Sequence, residues 1–235
     1  IVNIALGNST MDALTTGKWN IAMGQNALGA STTGCLNIAI GQTALGTADT
    51  TGNVNIAIGN TTMDALTSGT YNIAMGENAL GASTTGCFNV AIGDTALGTG
   101  VTTGNYNIAL GGNVMDALTS GACNIALGKH ALGAATDNCD NIAIGQSALA
   151  VSGNDGDDNV AIGQSAMGGA DVSGCANFAA GKNAMDALTT GQNNIAIGKD
   201  SLGASTTGCL NIAIGKSALE AGDTTGNANI AIGET

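Results

Sequence analysis

A parallel β-solenoid is the fold class this sequence predicts, and three observations predict it. The motif Asn-Ile-Ala-Ile-Gly, seen at residues 37–41, occurs fourteen times with small variations, first at Asn3 and last at Asn229. Successive copies lie 17 or 18 residues apart, and their Asn, central Ala and closing Gly never vary. The remaining positions of each copy alternate apolar and small residues, the two-residue period of a strand. A period this short marks a repeat architecture, because one unit is too small to bury an apolar face alone and must stack on its neighbours.

Take the motif Asn as position 0. Position 4 is Gly and position 8 is Leu or Met wherever the coil is complete, and a Gly near position 14 often follows a Thr pair. Positions 1 and 3 share one face of the strand, while Asn, Ala and Gly share the other. The Ala-Leu pair at positions 7 and 8 reads as a second short strand, with Leu28, Leu45, Leu80 and Leu97 pointing back at the Ile face. Thr-Thr-Gly supplies the return turn. A continuous helix is excluded, since Gly recurs every five to ten residues or so and costs about 1 kcal/mol each inside one. About fourteen coils rising about 4.8 Å each make a rod roughly 65 Å long.

A longer period overlies the coil. One coil type carries Met-Asp-Ala-Leu (Met11–Leu14, Met63–Leu66, Met115–Leu118, Met185–Leu188). The next ends in Cys two residues before the following Asn, and the third is one residue longer. Residues 159–176 form an extra coil that interrupts this order. Growth by duplication and tolerance of an inserted coil speak against one positioned active site. The chain reads as a single repeat segment over 1–235. Neither end carries the polar cap a solenoid needs, so a segment of a longer chain is expected.

Composition narrows the function classes. The net charge is −12, with five Lys and no Arg, which disfavours a phosphate backbone as partner. Charged residues make up only 9% of the chain, so a surface of small polar residues, or one covered by partner chains, is expected. No run of 18 apolar residues exists to span a membrane as a helix. His130 is the only histidine, which leaves no His-based triad or metal site, and no enzyme is expected.

Four sets of residues remain as candidates for chemistry. The Asn row reads as a structural ladder satisfying turn backbone, with a ligand-binding row as the alternative. Of the six Cys, only Cys123 and Cys139 lie on adjacent coils and could pair; buried free thiols are the expected state. The acidic turns contain Asp137, Asp140, Asp155, Asp157 and Asp158. They read first as solvated turns, with Asp137, Asp155, Asp157 and Asp158 the candidate ligands should they hold calcium. The residue before each Asn runs Trp19, Leu36, Val54, Tyr71, Phe88, Tyr106 and then Cys123, Asp140, Asp158. Polar members argue that this row is partly exposed, which makes Trp19, Tyr71 and Tyr106 candidate contacts for a sugar or a partner chain; packing on the next coil is the alternative.

The pattern N-x-A-I-G-x-x-A-L-x-x-x-T-T-G resembles the repeats of trimeric autotransporter adhesin heads and the 17-residue repeats of phage tail-fibre proteins, over essentially all 235 residues. The resemblance implies a left-handed β-roll, three chains side by side, and an extracellular rod on a virion or cell surface that contacts a glycan or receptor. The uniform Ala at position 2 is expected to mark the surface where chains approach, with Ala109 and Ala126 as sites to test it. The rival reading is an ice-binding solenoid, built on the row Thr16, Thr33, Thr51, Thr85 and Thr103, or a self-assembling filament.

Overall fold

The computed structural model describes residues 2–152, 156–220 and 225–234. It divides into two compact units, residues 1–120 and 121–235, each a stack of coils. Every coil contributes one three-residue strand. In the first unit these are β1 (Ile4–Leu6), β2 (Ile21–Met23), β3 (Ile38–Ile40), β4 (Ile56–Ile58), β5 (Ile73–Met75), β6 (Val90–Ile92) and β7 (Ile108–Leu110). In the second they are β8 (Ile125–Leu127), β9 (Ile142–Ile144), β10 (Val160–Ile162), β11 (Phe178–Ala180), β12 (Ile195–Ile197), β13 (Ile212–Ile214) and β14 (Ile230–Ile232). Within each unit consecutive strands pair in parallel, Ala opposite Ala at every step. No helix occurs among the described residues. The all-β parallel solenoid expected from the repeat is the fold. The inserted coil carries β10, which keeps the same register against β9 and β11.

The two faces of the strand are the reverse of the expected arrangement. Ala22, Ala39, Ala57, Ala74, Ala91 and Ala109 are fully buried inside their own coils. Their neighbours at positions 1 and 3 are half-buried or exposed: Ile73 is 37% and Met75 40% exposed. Leu28, Leu45, Leu80 and Leu97 are buried, as are the Ala and Asn of the strand, so they share the interior with that face and not with the Ile pair. The interior of a 17-residue coil is narrow. Small Ala on one wall and one Leu or Met from the other fill it, and a γ-branched or β-branched pair on both walls would overfill it.

Among the described residues the expected second strand is absent as well. Positions 6 and 8 take left-handed backbone, as does the residue before each Asn: in one coil Leu36, Thr43 and Leu45 have φ of 60°, 58° and 51°. Each such residue costs about 1–2 kcal/mol. All three are tied to a neighbouring coil through the amide, to Lys18 O at 3.0 Å, Gln25 O at 2.9 Å and Thr62 O at 3.0 Å. Stacking thus holds the chain in turns that an isolated coil would not keep. The strain leaves a readable signature. Leu210 lies 59% exposed at φ 60°, and Asn193 occupies the same place one coil earlier. Replacing Leu210 with Asn is expected to raise stability by about 0.5–1 kcal/mol, read as a higher guanidinium midpoint at unchanged slope.

The three coil types are three ways of filling one interior slot. Leu66, Leu118 and Leu188 occupy it in the Met-Asp-Ala-Leu coils; Ser31 and Ser83 occupy it in the Cys coils, and Thr50 and Thr102 in the longer ones. The hydroxyls do not go unpaired. Ser31 Oγ donates to Thr50 O at 2.7 Å and Thr50 Oγ1 donates to Leu66 O at 2.9 Å, a relay repeated through Ser83, Thr102 and Leu118.

Candidate functional site

The Asn row is a buried structural ladder. Asn72 Oδ1 accepts the backbone N–H of Asn89 at 2.9 Å, and its Nδ2 donates to Gly86 O at 2.7 Å. The same pair of bonds repeats at Asn37, Asn55 and, in the second unit, at Asn159 and Asn194. From Asn20 to Asn211 these side chains are buried, so that stretch of the row has no surface on which to hold a ligand.

The row before the Asn is outward, as the polar members implied. Trp19, Tyr71, Phe88 and Tyr106 are 59%, 53%, 44% and 58% exposed. Tyr71 stacks on Phe88 at 4.9 Å between centroids and Phe88 on Tyr106 at 5.0 Å, with rings within 8° of parallel. Exposure and packing on the next coil therefore hold together. Stacking occupies both faces of Phe88 and one face each of Tyr71 and Tyr106, so the ladder offers ring edges and phenol hydroxyls to a partner. Trp19 stands apart, with Leu36 and Val54 between it and Tyr71 in the row.

Among the described residues the acidic side chains of these turns do not converge. Asp157 Oδ1 accepts the Cys139 amide at 2.7 Å, the place taken by Asn53 under Cys35 and Asn105 under Cys87. Its carboxylate is a turn cap in a series where Asn serves equally. Asp158 lies in the outward row, and Asp137 Oδ1 accepts from the Thr136 hydroxyl at 3.4 Å. Asp155 lies outside the described residues. Among the described residues no three His, Cys, Asp or Glu side chains are placed to hold a metal ion.

None of the six cysteines is in a disulfide; five are half-buried and Cys123 is exposed, where full burial was the expectation. Cys35, Cys87, Cys139 and Cys209 share one arrangement. Cys87 Sγ accepts the Thr70 amide at 3.3 Å and donates to Thr85 O at 3.4 Å, and the other three do the same with their own neighbours.

One cavity was not legible in the sequence. Asn183, Asp186, Asp200, Gly203, Ala204 and Glu220 line an open hollow of about 280 Å³ in the second unit. Burial raises the pKa of Asp186, opposed by the Gly169 amide, with Asp200 raising it further. Asp200 is held low by hydrogen bonds from Lys199 and Asn183, at 2.8 and 2.9 Å. Its carboxylate is thus already matched by a cation. The Asp of Met-Asp-Ala-Leu is the signal that could have pointed here.

Asp64, the same position in the first unit, is likewise raised, chiefly by burial. A carboxyl whose folded pKa lies above its unfolded value binds its proton more tightly in the native state. Its contribution is then most favourable below about 3.8, and stability falls as pH rises through the folded pKa. Asp64→Asn should accordingly raise Tm at pH 7 and leave it nearly unchanged at pH 3, which thermal scans at the two pH values check.

Comparison of the chain with family models, characterised proteins and solved structures gives no match. The class that fold and surface define is a repetitive β-solenoid of 17–18-residue coils. No helix among the described residues is long and apolar enough to cross a membrane.

Proposed function

We propose that this chain is a structural segment of an extracellular fibre or adhesin, in which three copies pack side by side into a stiff rod on a virion or cell surface. The observation that carries the reading is the outer face of the strands. In each unit two parallel rows of Ile, Val, Leu and Met stand in register at positions 1 and 3, broken in the second unit by Phe178 and Ala180, and Ile73, Ile92, Ile108, Ile195 and Ile197 are 37–40% exposed. A flat apolar face this regular, on a chain with so few charges, is a surface for another copy of itself. The contact between chains thus moves from the Ala face to the Ile face. Three copies, in place of two, follow from the resemblance to adhesin heads and tail fibres. The uniform coils and the inserted one suit a spacer that presents a receptor- or glycan-binding region.

Multi-angle light scattering tests the assembly. Three times the chain mass is expected, falling to one chain for Ile73→Lys with Ile108→Lys while the circular dichroism of a strand-rich fold persists. A single-chain mass for the parent protein at all concentrations would remove the trimer. A glycan array then separates a binding segment from a spacer.

The ice-binding alternative rests on Thr16, Thr33, Thr51, Thr85 and Thr103, all exposed. That row lies outside the strands, at bends for Thr16, Thr33 and Thr85, so the hydroxyls lack the flat pleated plane that ordering water requires. Thermal hysteresis at micromolar protein would favour it nonetheless.

A further inference from the structure

We infer that Cys123 and Cys139 form a redox-reactive dithiol, a modification site at which a low-molecular-weight disulfide closes one covalent link between adjacent coils of the second unit. The other described cysteines of this unit, Cys175 and Cys209, have no Cys on a neighbouring coil; Cys35 and Cys87 in the first are three coils apart. Cys123 and Cys139 lie on adjacent coils, offset by one place. Cys123 occupies the outward row just before Asn124, whereas Cys139 sits two before Asn141.

Register fixes the distance. The Asp140 amide donates to Ala122 O at 3.0 Å, and the Ala122 amide donates to Cys139 Sγ at 3.4 Å. The sulfur of Cys139 therefore already leans on the coil that carries Cys123, against the amide of the residue before it. One coil rise of about 4.8 Å and one chain step of about 3.8 Å place the two Cα atoms about 6 Å apart. Disulfides span Cα separations of about 4.4–6.8 Å. Cys123 is exposed and Cys139 half-buried, an order of access that suits attack on the first and resolution by the second. Partial desolvation, then the Asp140 carboxylate and the Cys139 thiol, raise the Cys123 pKa, so the attacking thiolate is a minor species near neutral pH and the exchange quickens as pH rises.

The chemistry balances with glutathione disulfide as the oxidant. The Cys123 thiolate attacks one glutathione sulfur, forming a mixed disulfide and releasing one glutathione thiolate. The Cys139 thiolate then attacks Cys123 Sγ and expels the second. The two protons of the protein thiols end on the two glutathiones, so two cysteines are oxidised and one glutathione disulfide is reduced.

The folded protein, incubated with glutathione disulfide and then alkylated, is read by intact mass and non-reducing peptide mapping. Loss of two hydrogens and a single 123–139 cross-linked peptide are expected. Cys123→Ser should abolish that loss, and Cys139→Ser should leave one glutathione on Cys123. A parent protein that stays fully reduced, retains glutathione on Cys123, links two chains, or joins any other pair of cysteines overturns the inference. The wild-type map decides without reliance on how either variant folds.

Discussion

Replacing Ala109 with Gln should unfold the coil that carries it, not merely weaken assembly. Ala109 is fully buried, opposite Ala91 in the strand ladder. Gln adds four heavy atoms beyond Cβ to a packed interior and leaves an amide with no partner there. Overpacking costs about 1–3 kcal/mol and a buried unpaired amide about 1–3 more, together about 2–6 kcal/mol. The adjacent Ile108, 37% exposed on the outer face, is the control. Ile108→Gln should keep the strand-rich circular dichroism that Ala109→Gln loses. The opposite ranking would mean that the Ile face, and not the Ala face, is the core. Ala126, on the inner face of β8 and equally buried, should behave as Ala109 does.

Gly59→Ala is the second large effect, and it acts through the backbone. Gly59 has φ +139°, a region closed to residues with a side chain. A Cβ there would lie 2.5 Å from Gly76 O and 2.7 Å from Thr62 Oγ1, both held by the stack. Strain and clash together are expected to cost more than about 3 kcal/mol, which lowers Tm by many degrees. Gly112 in the same unit supplies the contrast, since its nearest obstacle is Asp94 O at 3.9 Å and its φ is ordinary. Gly112→Ala should be neutral or stabilise by about 0.4–1 kcal/mol, because it removes freedom from the unfolded chain. Equal losses in the two variants would show that the position-4 glycines are not held by their stacking neighbours.

Both effects arise from close stacking, and close stacking is what the repeat itself announces. The invariant Asn, Ala and Gly could be read in advance as positions with no room for change. The Asn ladder follows from that reading, because an amide is one of the few side chains that can both accept an amide N–H above and donate to a turn carbonyl. Insertion of the coil at 159–176 without a change of register also follows, since each coil meets only its neighbours. The outward row was legible from Asp140 and Asp158, which a core would not accept.

What the sequence by itself determined is the period, the parallel pairing and the division of the motif into two faces. A period of two states that Ile38 and Ile40 share a face and that Asn37, Ala39 and Gly41 share the other; it does not state which face is inside. Hydrophobicity argued for the Ile pair, and tertiary structure decided otherwise. The chain turns so sharply that its interior admits Ala from one wall and Leu45 from the other, with the Asn amides filling the corner. That sharpness comes from left-handed residues such as Thr43 and Leu45, whose conformations local propensity disfavours and coil-to-coil hydrogen bonds impose. No local pattern could reveal them, because the force that holds them acts between residues 17 or 18 apart.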